Sequence, residues 1–391
     1  MDKNTLTQWY ETVAEQMPHL SKPQASVLAL WSFGIVMTRS CALTSVASLL
    51  AELVGRKEAA MRERLRDLYR EASAKKGEKR AELCAESCFA PLLRWILSWW
   101  VGESHRLALV LDATSLGDRL VVLAISVMYR GCAIPVAWKV VEGQQRGSWR
   151  PYWEHLLERV AEAVPEEWFV LVLADRGLYA RWLFQGIRRQ GWHPFLRINH
   201  QGLFRPHGEA YRPLWSLAPR PGTSWSGIGT CFKGQPLTCT LLAVWGEASQ
   251  EPWLLVTDLP TAQADAAWYG LRAWIEGGFK DLKRGGWQWH QTRITKPQRA
   301  ERFWVALAVA TLWVLSVGGE ADATQPVHGL EHLPETHIAR RRATRRSRPR
   351  LLSCFRQGIQ MILAALLTGR PLPLGHFYPH PWPSFPCSPS P

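Results

Sequence analysis

The chain has 391 residues, enough to bury a sizeable core and to hold more than one domain. Its 47 Lys and Arg against 33 Asp and Glu leave a formal charge of +14, which points to a polyanionic partner, nucleic acid before membrane. Eight cysteines without a CxxC pair, and no secretion signal ahead of them, argue against a disulfide-built exported protein and lead us to expect free thiols in a reducing cytoplasm.

Positions 1–100 read as helical. Within them 43–53 form a short apolar-periodic helix, Gly55 marks a turn and 56–72 form a second helix, the spacing of a helix-turn-helix. Positions 56–80 carry ten Lys and Arg against five Asp and Glu. That suits a DNA-reading element and equally an ordinary bundle with a solvated charged face.

At position 106 the period changes. RLALVLDA (106–113) is an apolar run ending in an acid, Asp112, as a buried strand would be. Positions 119–129 and 133–141 follow as strands joined by a turn at Arg130-Gly131-Cys132. An amphipathic helix (149–164) leads to a fourth strand, WFVLVLA (168–174), which runs into Asp175. A helix (178–190) and a fifth strand (193–199) complete an α/β pattern with a sheet of mixed direction. Positions 201–259, rich in Gly, Pro, Trp and Thr, have no helical period and read as a β-rich insertion. A helix is expected at 269–283 and a buried one at 302–317, whose apolar run of about 15 residues is short of the ~20 a membrane span needs. Positions 340–350 hold seven arginines, a handle for phosphate. One more helix is expected at 351–367, and the Pro-rich tail from Pro371 is expected to be disordered. The chain thus divides into a helical, DNA-binding domain (1–100), an α/β domain (101–320) with its insertion (200–260), and a basic, Pro-rich region (321–391).

Wound at about 100° per residue, 269–283 places Tyr269, Arg272, Glu276 and Lys283 on one narrow polar stripe. The apolar face beside it holds Leu271, Ile275, Phe279 and Leu282. Such a stripe is ordinarily just solvated. Its company changes that, because Asp112 and Asp175 would emerge on one edge of the sheet. Either aspartate alone reads as a turn or capping acid. Three carboxylates together repel one another unless a cation neutralises them. Their hard oxygens suit Mg²⁺ or Mn²⁺, and two such ions can drive an in-line phosphodiester displacement. Asp281 falls off the stripe, Asp118 and Asp258 sit in turn-like contexts, and His328 and His332 lack a third ligand.

Tyr269, Arg272, Glu276 and Lys283 match without a gap the Y-(2)-R-(3)-E-(6)-K signature, and with Asp112 and Asp175 the chain resembles the DDE transposases of the insertion-sequence IS-four type, Tn-five-like enzymes among them. Asp175-Arg176-Gly177 is similar to the family's DR-(G/E), and Arg197 stands where such enzymes keep an arginine near the transposon-end phosphates. Trp253-Leu254-Leu255-Val256-Thr257 resembles the W-L-L-x-T strand whose Trp holds a flipped base during hairpin formation; from the residues alone Trp253 is also a reasonable core tryptophan. The resemblance covers about 106–317 and implies a ribonuclease H-like catalytic domain. It implies Asp112, Asp175 and Glu276 as ligands of two Mg²⁺ or Mn²⁺ ions, and Tyr269, Arg272, Lys283, Arg197, Arg176 and Trp253 as DNA contacts. It further implies a homodimer that joins terminal inverted repeats to target DNA by cut-and-paste, through nicking, a hairpin and strand transfer. Two other readings stay open: a ribonuclease H-like nuclease such as a junction resolvase, and a catalytically silent DNA-binding repressor.

Overall fold

The structure, a computed structural model, describes residues 3–75, 81–145, 147–247, 249–324 and 352–384. The arginine-rich stretch at 340–350, His328 with His332, and the last residues of the tail lie outside the described residues. Five helices come first: α1 (Lys3–Gln16), α2 (Lys22–Thr38), α3 (Leu43–Val54), α4 (Glu58–Arg66) and α5 (Phe89–Ser98). Gly55 closes α3 in the left-handed region at φ 63°, where glycine carries no Cβ penalty. The helix expected over 56–72 stops at Arg66. The Trp31 indole takes the Leu65 carbonyl at 2.7 Å, and the Tyr69 amide turns to Arg66 instead, so the next α-helical bond is not made.

The central sheet begins with β1 (Arg106–Leu116), β2 (Leu120–Tyr129) and β3 (Cys132–Glu142), an antiparallel meander. The tight β2–β3 turn has positive φ at both Arg130 and Gly131, as a two-residue hairpin requires. Helix α6 (Arg150–Ala161) returns the chain so that β4 (Phe169–Ala174) runs parallel to β1, and α7 (Arg181–Arg189) does the same for β5 (His193–Arg197) beside β4. The β-rich segment does not interrupt this sheet. Its strands β6 (Leu203–Pro206), β7 (Arg212–Pro213), β8 (Ser224–Cys231), β9 (Leu237–Val244) and β10 (Trp253–Thr257) extend it, because β10 pairs antiparallel with β5. The result is one mixed sheet of ten strands in the order β3-β2-β1-β4-β5-β10-β9-β8-β6-β7.

Alternation decides what each face carries. In β1, Leu107, Leu109 and Leu111 enter the main core, and in β4 Val170, Val172 and Ala174 do the same. Ala108, Val110, Leu171 and Leu173 face the other way, into a second cluster. The main core is shared with the N-terminal helices and with α9 (Pro297–Ala323), against which α10 (Cys354–Leu367) packs. Helix α9 is longer than expected. By length and composition it could cross a membrane, yet 94% of its apolar window is buried inside the fold. Trp313 shows how: its rings stack on Trp9 at 4.2 Å and its indole N–H donates to the Pro373 carbonyl at 2.9 Å.

That bond also corrects the expectation of a disordered tail, as far as residue 384. Phe377 is buried and exchanges backbone hydrogen bonds with Trp99 and Val101, and the Arg106 guanidinium lies 4.0 Å from the centre of the Trp382 ring. Proline removes donors but not apolar area, and Leu372, Phe377 and Trp382 supply enough anchors to order the segment.

Candidate active site

The segment expected as one helix is two. Ala266–Ala273 winds as a 3₁₀-helix, started by Asp265, whose carboxylate accepts from the Ala267 amide at 2.8 Å; helix α8 (Trp274–Leu282) follows. Tyr269 and Arg272 therefore belong to the 3₁₀ part, Glu276 to the first turn of α8, and Lys283 caps its end with non-helical backbone. Helix α8 lies close against β3. A Cβ added at Gly278 would come within 2.6 Å of the Ala133 Cβ, so this position needs glycine.

Asp112 sits inside β1 rather than at its end. It comes to the surface because β4 stops at Ala174, opposite Leu111, leaving Asp112 as the first β1 residue without a neighbour on that side. Asp175 is the residue that follows β4. Both continue the alternation that sends Val110 and Leu173 to the α8 face, as do Arg197 after Phe195 in β5 and Trp253 ahead of Leu255 in β10. Four of the expected positions are thus brought to one face by register alone, at the carboxyl ends of two parallel strands.

Asp175 lies 3.9 Å from Arg197 Nη1, but all three acids meet around Arg272. Its Nη1 donates to Glu276 Oε1 at 2.7 Å, and its Nη2 donates to Asp112 Oδ2 at 3.0 Å and lies 3.5 Å from Asp175 Oδ2. The Arg272 side chain is 16% exposed and the carboxylates 24% (Asp112), 35% (Asp175) and 34% (Glu276), so the cluster is half sunk at the sheet edge. Tyr269, itself buried, donates its hydroxyl to Asp175 Oδ1 at 3.1 Å. Burial pushes the Asp112 carboxyl above the usual range, and Arg272 only partly offsets it. At Asp175 burial acts in the same direction, but Arg272, the Arg176 amide, Arg197 and Tyr269 together hold the carboxyl below its usual value. Among the described residues, no three His, Cys, Asp or Glu side chains stand close enough to hold a metal ion as they are arranged.

The remaining expected residues lie around this centre. Arg197 Nη2 and Arg176 Nη1 both reach the Glu251 carboxylate, at 2.8 and 2.9 Å. Glu251 is a site residue that the sequence did not announce; its partners are 54 and 75 positions away and no motif joins them. Lys283 donates to Thr114 Oγ1 and to the Ser115 carbonyl, both at 2.7 Å, and burial lowers the pKa of its amine. Beside it a groove of about 620 Å³ runs from Glu276 past Arg119, Lys280, Lys283, Arg284 and His290. Of these, Glu276 and Lys283 are the ones the sequence singles out. Trp253 is 7% exposed and packs edge-on against the Tyr269 ring at 5.1 Å, so it stands under the site as a wall and presents no open face.

Residues 125–313 match the family model of the transposase DDE domain, which supports a DDE transposase. The matched span takes in Asp175, Tyr269, Arg272, Glu276 and Lys283 and begins after Asp112. No curated protein matches the chain. Among solved structures it is similar to a piggyBac transposase synaptic complex with hairpin DNA at 13% identity, with 87% of this chain and 76% of that one covered and a TM-score of 0.40, a likeness too distant to carry an argument.

Proposed function

We propose that the chain is a DDE transposase that cleaves double-stranded DNA at transposon ends and joins them to target DNA, with Asp112, Asp175 and Glu276 as its acids. One observation carries this: carboxylates from β1, the end of β4 and α8, separated by 63 and 101 positions, gather around one guanidinium on the sheet face where β4 ends. The strand order β3-β2-β1-β4-β5, with β1, β4 and β5 parallel, supports a ribonuclease H-like catalytic domain. The α3–Gly55–α4 hairpin supports a DNA-binding role for residues 1–100.

The donor set fits Mg²⁺ or Mn²⁺ by its chemistry: three hard carboxylates, partly open to solvent and already clustered about a positive charge. Asp112, Asp175 and Glu276 would hold such ions, which when bound activate an attacking oxygen and neutralise the charge that develops on the leaving one. The rest falls to the chain itself. The Tyr269 hydroxyl orients Asp175, and Lys283 with the groove below Glu276 offers cations to phosphate oxygens. Trp253 is covered by Tyr269, and a base held there would have to displace that ring. A homodimer holding two DNA ends is part of the proposal through the family resemblance.

The test uses a duplex carrying the genomic sequence that flanks this reading frame, with Mg²⁺. Asp112→Ala, Asp175→Ala and Glu276→Ala are each expected to lose cleavage while still shifting the duplex in a gel. Near-normal cleavage by any one of them removes that acid from the assignment. Joining of a supplied 3′-hydroxyl end to a second duplex separates a transposase from a resolvase, and end binding by the wild type without Mg²⁺-dependent cleavage would identify a repressor.

A further inference from the structure

We infer that Arg272 is the internal counter-ion of this site: its guanidinium fills the space between Asp112, Asp175 and Glu276, and it has to leave before a divalent cation can share those oxygens. The inference rests on the reading of the three acids as a metal centre and adds what holds them together beforehand.

Three independent features support it. First, one side chain contacts all three carboxylates, with Nη2 serving both Asp112 and Asp175. Like charges gathered at a half-buried edge need a neutralising partner, and here Arg272 is that partner. Second, the fit is incomplete, because Arg272 Nε is buried and finds no hydrogen-bond acceptor. Most buried polar atoms find a partner, so this nitrogen is a cost that the arginine carries while it stays among the acids. Third, Arg272 lies near the end of an eight-residue 3₁₀ segment that passes directly into α8. Such segments seldom exceed three or four residues, because their hydrogen bonds are poorer than those of an α-helix, so eight in a row is a stretch with an α-helical alternative close at hand. Rewinding that turn would move Arg272 relative to Glu276 without disturbing β1 or β4.

The consequence is a coupling between two ligands. A guanidinium released from the acids remains within a turn of Glu276, where a DNA phosphate is its natural bidentate partner. Phosphate therefore draws Arg272 away from the acids and a divalent cation displaces it, so each ligand favours the other's binding.

Binding of Mn²⁺ to the DNA-free protein, followed by the electron paramagnetic resonance of the free ion, tests this without any turnover. Arg272→Gln is expected to bind Mn²⁺ roughly tenfold more tightly than the wild type, a size usual for coupled sites. Arg272→Lys, whose amine cannot span three acids, is expected to fall between them, and Asp112→Ala to lose the binding. Should Arg272→Gln not fold by circular dichroism, Arg272→Lys decides: tighter binding than the wild type supports the inference and equal binding overturns it. Equal affinity in the wild type and Arg272→Gln overturns the counter-ion role and leaves the metal centre standing. Absence of Mn²⁺ binding in every variant overturns the metal-centre reading, and the inference with it.

Discussion

Replacing Arg272 by alanine is expected to destabilise the fold at pH 8 by about 2–3 kcal/mol. Breaking a buried ion pair by removing one partner costs about 3–5 kcal/mol. Here one cation serves three anions, which adds to the cost, but the anions are 24–35% exposed and solvent screens part of it. The loss should also depend on pH in a definite direction. Asp175, held below its usual value of 3.8, contributes stability above that value and loses it as pH falls through the lowered one. Asp112, raised by burial, has the opposite sign: its ionised form costs stability, and the cost disappears as pH falls through its raised value. Without Arg272 both carboxyls move upward, so the deficit of Arg272→Ala is greatest at neutral and alkaline pH and shrinks on acidification. Urea unfolding at pH 8 and pH 3, on the two sides of the ordinary aspartate value of 3.8 about which these carboxyls are displaced, compared at equal slope, reads this directly. A deficit that is the same at both values would mean that only the packing of the aliphatic stem was lost, and the electrostatic account of the site would be refuted.

Lys283→Ala should weaken DNA binding evenly across sequences and lower the salt-dependence slope by about 1, as loss of one phosphate contact does; an unchanged slope would leave Lys283 only its structural bonds to Thr114 and Ser115. Trp253→Ala should cost about 3–5 kcal/mol by emptying the wall under Tyr269, and Trp253→Phe much less, by thermal or urea unfolding; if alanine is tolerated without loss, the indole is not a packing residue. Gly278→Ala should cost about 1–3 kcal/mol because its Cβ would sit 2.6 Å from that of Ala133, and unchanged stability would show that α8 can lift off β3 freely.

What was legible in the sequence follows from the range of the interactions involved. The strands announce themselves because each is an uninterrupted apolar run, and a two-residue period suffices to send Asp112 and Asp175 to the same face. The spacing of Tyr269, Arg272, Glu276 and Lys283 is local and survives even though half of it winds as 3₁₀, since Arg272 and Glu276 still meet across four positions. Features set by distant partners were hidden. Helix α4 ends where Trp31, 34 positions earlier, captures a carbonyl, and Arg197 and Arg176 are neutralised by a Glu251 that no pattern connects to them. The tail misleads through composition: its prolines suggest disorder, while Leu372, Phe377 and Trp382 between them anchor it to the fold.

The counter-ion at the centre of the site is likewise set by distances that no sequence pattern carries. Residue types show that three acids need a cation, and the sequence supplies both an arginine beside them and a chemistry suited to a divalent ion. Which of the two neutralises the acids depends on separations of a few ångströms between side chains on β1, after β4 and around the start of α8. In the folded chain the guanidinium is already within 3.5 Å of all three, so a metal ion entering this site meets a competitor rather than bare carboxylates. The affinity of the site for metal is then set as much by how easily one 3₁₀ turn yields as by the acids themselves.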